Sequence, residues 1–256
     1  MRTTRPLAAA LLASAVLSAA TACGPTAAPS GAAQAAPAPT AASPSPAGIE
    51  ALTAEQILRK AEAASEQVTS VRLSFDVAES GERFKGSVAE DKSGNCAGTI
   101  GKGSDGSFDV LRTGGTVWIK PDAVFWDKSV APGSSKKLGG KYLKGSAQAG
   151  SLKSMATFCD LGLQILKGLG KKDDGTDDTV GGTKSGTKQV GAVQAVVIRD
   201  QETEVAVAAQ GEPYLVEMVQ SGADAATMSF SDYEKPVTVT KPPAALVLDA
   251  SKYLRG

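Results

Sequence analysis

From residue 52 onward the chain alternates between two hydrophobic periods. In "LTAEQILRKAEAASEQV", Ile57, Leu58, Ala61, Ala64 and Val68 recur three and four residues apart, which predicts an amphipathic helix. Thr53 is a good N-cap with Gln56 three residues on, a capping box, and Leu52 and Ile57 are placed as a hydrophobic staple around it. In "VRLSFDV" the period drops to two: Val71, Leu73, Phe75 and Val77 point one way, Arg72, Ser74 and Asp76 the other. After a turn at Ser80 and Gly81, "RFKGSVAED" continues the alternation through Phe84 and Val88. "NCAGTI", "FDVLR" and "TVWIK" follow as short strands between Gly-rich turns, and later come "VQAVVIR", "TEVAVAA", "PYLVEMV" and "TMSFSDY". Runs spaced about 8 to 12 residues apart with turn signals between them predict an antiparallel meander with one apolar and one solvated face.

The middle of the chain breaks this rhythm. "PDAVFWDKS" (121–129) predicts a short helix. "SLKSMATFCDLGLQILKGLG" (151–170) predicts a longer one, capped by Ser151, with Leu152, Met155, Cys159, Leu163 and Leu166 on its apolar side and Gly162 as a break point. "SSKKLGGKYLKG" and "KKDDGTDDTVGGTKSGTK" read as solvated loops. Helix, strands, helices, strands is an α+β order, with a sheet large enough to need the helices as cover. No linker is seen after Ala47, so residues 49–256 read as one domain.

The first 48 residues have a different character. Arg2 and Arg5 precede an apolar run, "LAAALLASAVL", of 11 residues. That is too short to span a bilayer, which takes about 20 residues, and it fits a secretory signal over residues 1–22. Ala20, Thr21 and Ala22 then lead to Cys23, a pattern that resembles the bacterial lipobox, with Ala20 where leucine is usual. In such proteins the cysteine thiol is acylated and becomes the first residue of the mature chain. The alternative is cleavage of a soluble secreted protein at the same small residues. Residues 24–47 contain six prolines and no charge, so no core can be built from them. They read as a disordered tether, about 27 Å long as a coil or about 75 Å as extended polyproline. A tether directly after Cys23 favours the anchored form: a membrane attachment outside the cytoplasm, on residues 23–48, carrying the domain.

Composition narrows the chemistry. The chain has 27 basic and 27 acidic residues and no histidine. Removing Arg2 and Arg5 with the signal leaves 25 basic against 27 acidic, a balance that argues against nucleic acid as a partner. Without histidine there is no Ser-His-Asp or Cys-His catalysis and no imidazole metal ligand. "DDGTDD" lacks the alternating ligands and final Glu of a calcium loop, and "GGKY" lacks the Ser/Thr of a phosphate loop. No metal, cofactor or catalytic residue is expected, and the chain is read as a non-enzyme. Trp118 and Trp126 would either stack on a sugar or fill the core. With Cys23 acylated, Cys96 and Cys159 are an even pair in an oxidising compartment, either bridged or buried as free thiols; a bridge would pin the second helix to the sheet.

"VTSVRLSFDV", "GNCAGTI", "GGTVWIKPDAVFW", "GKYLK" and "FSDYEKPVTVTKPP", taken in that order, resemble actinobacterial lipoproteins of the LppX/LprG type, related in fold to the LolA/LolB carriers. The resemblance runs from about Ile49 to the C-terminus. It implies a strongly curved antiparallel sheet, an unclosed half-barrel, with helices in its concave face. It also implies a lipid or glycolipid ligand whose acyl chains lie between sheet and helices, and it brings no catalytic residues. Phe75, Phe84, Phe108, Val110, Val117 and Ile119 are the candidate lining residues, and ordinary core is the alternative for each. If the helices fill the space completely, the domain is instead a module that docks on an envelope protein partner.

Overall fold

The computed structural model describes residues 48–79, 81–150, 152–169 and 182–254. The signal segment, Cys23 and the Ala/Pro-rich stretch lie outside the described residues, as do Ser151 and the acidic turn near Asp173.

The amphipathic N-terminal segment forms Ala54–Gln67 (α1), with Thr53 as N-cap and both halves of the capping box made. Gln56 N donates to Thr53 Oγ1 and Thr53 N donates to Gln56 Oε1. Ile57, Leu58 and Ala61 are its buried face. Thr53→Ala removes one acceptor from the exposed N–H groups of the first turn and is expected to lower stability by about 1 kcal/mol, read as a shift in urea midpoint at unchanged m.

Among the described residues twelve strands join in one sheet. The first half of the chain supplies Ser70–Glu79 (β1), Glu82–Asp91 (β2), Cys96–Lys102 (β3), Ser107–Thr113 (β4), Thr116–Pro121 (β5) and Tyr142–Ser146 (β6). The second half supplies Thr183–Val190 (β7), Val193–Asp200 (β8), Thr203–Ala208 (β9), Leu215–Gln220 (β10), Ala226–Ser231 (β11) and Val247–Asp249 (β12). The spatial order is β12-β6-β5-β4-β3-β2-β1-β11-β10-β9-β8-β7. β1 to β5 and β7 to β11 are each an antiparallel meander, and the two are joined where β11 pairs with β1, Leu73 opposite Phe230 and Phe75 opposite Met228. Every pairing is antiparallel except that of β12, which runs parallel to β6. The sheet is curved and unclosed, with β12 and β7 at its two ends.

The two-residue period sets the faces. Across β1 to β5 the rows Leu73, Val88, Gly98, Val110, Ile119 and Phe75, Gly86, Ile100, Phe108, Pro121 lie in register on the inner face. A Cβ on Gly86 would come within 2.5 Å of Phe75 Cζ, so only glycine lets that ring lie across the neighbouring strand. Between β5 and β6 the chain makes Ala123–Ser129 (α2), capped by Asp122 and burying Phe125 and Trp126. Trp118 and Trp126 are both buried, 6% and 0% exposed, which removes either as an open sugar platform.

Three segments depart from the sequence reading. The lysine-rich stretch after Gly133 is not a bare loop: it makes Ser134–Leu138 (α3) and then β6, a strand of only five residues whose pattern is too short to stand out. The end of the acidic loop is β7, an edge strand, exposed over most of its length and lacking the alternation that a half-buried strand shows. The second long helix is divided into Lys153–Ala156 (α4), the 3-10 turn Thr157–Cys159 and Leu161–Gly168 (α5). The division falls at Asp160, not at Gly162. Gly162 instead packs on the sheet, where a Cβ would stand 2.5 Å from Glu90 Oε1 and 3.2 Å from Leu73.

Candidate functional site

The divided helix is fastened at one point. Cys96 at the start of β3 is bonded to Cys159. Arg112, opposite Cys96 on β4, donates to both carboxylate oxygens of Asp160 at 2.7 and 2.6 Å and to the carbonyl of Cys159 at 3.0 Å. Glu90, the other neighbour of Cys96, accepts from Leu163 N at 2.7 Å in the first turn of α5. Glu90 is 1% exposed and its second oxygen has no hydrogen-bond partner. Burial raises its carboxyl to about 7. The backbone N–H groups of Leu163 and Gly162 and the Arg112 charge oppose that rise, and Asp160 adds to it.

Beside this anchor, between sheet and helices, lies a hollow of about 660 Å³. Its sheet wall is Phe84, Ile100 and Phe108. Its other side is Phe125 and Val130 around α2, Met155 and Phe158 just before the disulfide, and Leu254 near the C-terminus. Phe108 and Phe125 meet edge to face at 5.7 Å. Polar groups stand at the rim. Lys102 Nζ lies 5.9 Å above the Phe84 ring and 3.1 and 3.6 Å from Glu82 and Asp105. Glu82, the strongest of these influences, holds the Lys102 amine above its usual range. Lys128 binds Asp105 at 3.2 Å and holds that carboxyl low. The rim is thus a closed network of charges over an aromatic and aliphatic interior.

Of the residues expected to line such a space, Phe84 and Phe108 are in its wall. Phe75 is one ring away, stacked on Phe158 at 5.7 Å with the planes 9° apart. Val110, Val117 and Ile119 lie on the same sheet face but are 0% exposed in the core and are not among the walls of this hollow. Cys96 and Cys159 form the bridge, and Cys23 is outside the described residues. The helical side of the wall, Met155 and Phe158, was not anticipated as lining. Glu90 and Arg112 were also missed, although the alternation Val88, Glu90 and Val110, Arg112 already puts both charges on the inner face. Among the described residues no group of His, Cys, Asp and Glu is arranged to hold a metal, and no helix is long and apolar enough to cross a membrane.

No family model matches the chain, and no curated protein is significantly similar to it. Among solved structures, it is similar to LprF from Mycobacterium bovis, with 14% identity and a TM-score of 0.49 over 74% of this chain and 97% of that one. It is also similar to the lipoprotein LppX of Mycobacterium tuberculosis, with 14% identity and a TM-score of 0.44 over 73% of this chain and 97% of that one.

Proposed function

We propose that this chain is an extracytoplasmic lipoprotein that holds an acyl chain of a lipid, or a similar apolar ligand, between its sheet and its helices. The observation that carries the reading is the hollow of about 660 Å³ walled by Phe84, Ile100, Phe108, Met155 and Phe158. Its size lies inside the range of small-molecule sites, about 300 to 1,000 Å³, and its interior is apolar where a ligand's chain would lie. A core under selection for stability alone closes such gaps, because each lost contact costs dispersion energy. The absence of histidine and of a nucleophile motif fits binding without catalysis. Acylation at Cys23 would keep the domain at the outer face of the cytoplasmic membrane, with residues 24–47 as the tether. Two or more acyl chains make such attachment stable, since each buried CH₂ contributes about 0.8 kcal/mol.

The test uses full-length protein and cis-parinaric acid, a fluorescent acyl chain. Wild type is expected to take up the probe. Met155→Trp, which places an indole inside the hollow, is expected to weaken uptake at least about tenfold with the disulfide intact. Native protein that carries no lipid in mass spectrometry and takes up no probe would sink the reading. Separately, Cys23→Ala is expected to move the protein from the membrane fraction to the medium; retention on the membrane would refute the anchor.

A further inference from the structure

The curved sheet has a second concavity, on its other side. Ala195, Ala206, Ala208 and Val216 form a small apolar cluster separate from the main core. They alternate with the inward residues Val196, Val205, Val207 and Leu215, so they belong to the outer face of β8, β9 and β10. Short side chains there leave a depression, and the hairpin turn between β7 and β8 and the loop before β10 rise around it. The result is a cleft of about 720 Å³ with Ala208 and Val216 among its lining residues.

The "FSDYEK" motif, which the inner hollow does not use, builds one wall. Asp232 and Glu234 both hold positive φ, 52° and 58°, conformations that side-chain-bearing residues adopt at a cost. Each is held by long-range bonds: Asp232 by Arg72 at 2.8 Å, Glu234 by Thr69 N at 2.7 Å. Between them Tyr233 is driven inward. Its hydroxyl donates to Leu215 O, and its ring stacks on Tyr214 at 4.1 Å with the planes 7° apart. Tyr214 remains half-exposed in the cleft.

We propose that this outer cleft binds a neutral oligosaccharide. Among the described residues no Lys or Arg lines it. Of its carboxylates, Glu217 is paired with Lys188, and Asp232 with Arg72 and Lys235. The Gln210 amide, the Glu212 carboxylate and the hydroxyls of Ser229, Ser231 and Tyr214 line the same space, and no side-chain bond of theirs is seen among the described residues. An amide, a carboxylate and hydroxyls offering donors and acceptors together, beside an aromatic ring, match a ring of hydroxyls with an apolar face. An added peptide strand is disfavoured: the floor of the cleft, Ala208 and Val216, lies over paired strands, and only the last residues of the edge strand β7, Gln189 and Val190, reach it. Acidic sugars are disfavoured by Glu212, the cleft carboxylate that no cation pairs with among the described residues. The proposal is independent of the inner hollow.

Full-length protein would be titrated with mannohexaose, maltohexaose and chitohexaose, with hexagalacturonate as the acidic counterpart. At least one neutral hexasaccharide is expected to bind with Kd below about 1 mM. Tyr214→Ala and Gln210→Ala are each expected to weaken that binding about tenfold, since each leaves ligand groups without a partner. Gln210 is exposed, so its variant tests the site without disturbing the core. Uptake of cis-parinaric acid should be unchanged in both. Absence of binding by all three neutral sugars, equal binding of hexagalacturonate, or undiminished affinity in both variants would overturn the proposal.

Discussion

Replacing both Cys96 and Cys159 with alanine is expected to lower stability by about 4 kcal/mol under oxidising conditions. The bridge spans 63 residues of sequence. Closing a loop of that length removes chain entropy from the unfolded state worth about 4 kcal/mol at 25 °C. The site of the loss matters as much as its size. Cys159 ends the 3-10 turn that contains Phe158 and follows Met155, so the bridge fixes the helical wall of the hollow to β3. Arg112 and Glu90 hold the adjacent residues, Asp160 and Leu163, so the segment stays docked but with one tie fewer. The double variant should therefore unfold at clearly lower urea while still folding in the cold, and its cis-parinaric acid affinity should fall. Denaturant midpoints with and without reductant give the check. Wild type in reductant must approach the variant; no difference between oxidised wild type and variant would refute the bridge as a stabilising element.

Wild-type stability is also expected to fall by about 3 kcal/mol as pH rises from below 5 to 8, and Glu90→Gln should abolish most of that fall. In the unfolded chain Glu90 titrates near its ordinary 4.5; in the folded protein it is raised to about 7. Between those values the native state holds a proton that the unfolded state has lost. Stability is then full below about 4.5, declines through the interval and levels off above about 7, at about 1.4 kcal/mol per unit of difference. The physical cause is a carboxyl sealed under α5 with one oxygen bonded to Leu163 N and the other unpartnered. Charged, that second oxygen has lost water and gained nothing. Glutamine keeps the acceptor for Leu163 N and cannot ionise. The window is open to measurement because the chain has no histidine, and the paired Asp76, held at about 2 by Arg83 and Lys85, titrates far below it. Urea midpoints of both proteins at pH 5 and pH 8 decide the matter: a Gln variant with the same slope as wild type would reassign the effect.

Much of this protein is written in local pattern. The capping box at Thr53, the alternation from Val71 to Val77 and the short strands after it are governed by neighbours within a few residues, so they read directly from the chain. The same alternation places Phe84 and Phe108 on the inner face, where the hollow forms. What stays hidden is what pairs across distance. β7 and β6 form because a partner strand offers hydrogen bonds, and their own residues carry no strong period. The helix broke at Asp160 because Arg112, 48 residues away, takes that carboxylate, and Gly162, the local helix breaker, became a packing point under Glu90.

The division between wall and core follows the same rule. Phe84, Phe108, Val110, Val117 and Ile119 have equal claims by periodicity, since all face inward, from β2, β4 and β5. Sequence by itself determined that face and the α+β order; it left Cys96 and Cys159 as either a bridge or two free thiols, and the structure joins them. Only the tertiary structure decided where α2 and the Met155–Phe158 turn stand off from the sheet and where they touch it. The gap between two layers is set by side chains far apart in sequence, and no period of two or of three to four residues carries that distance.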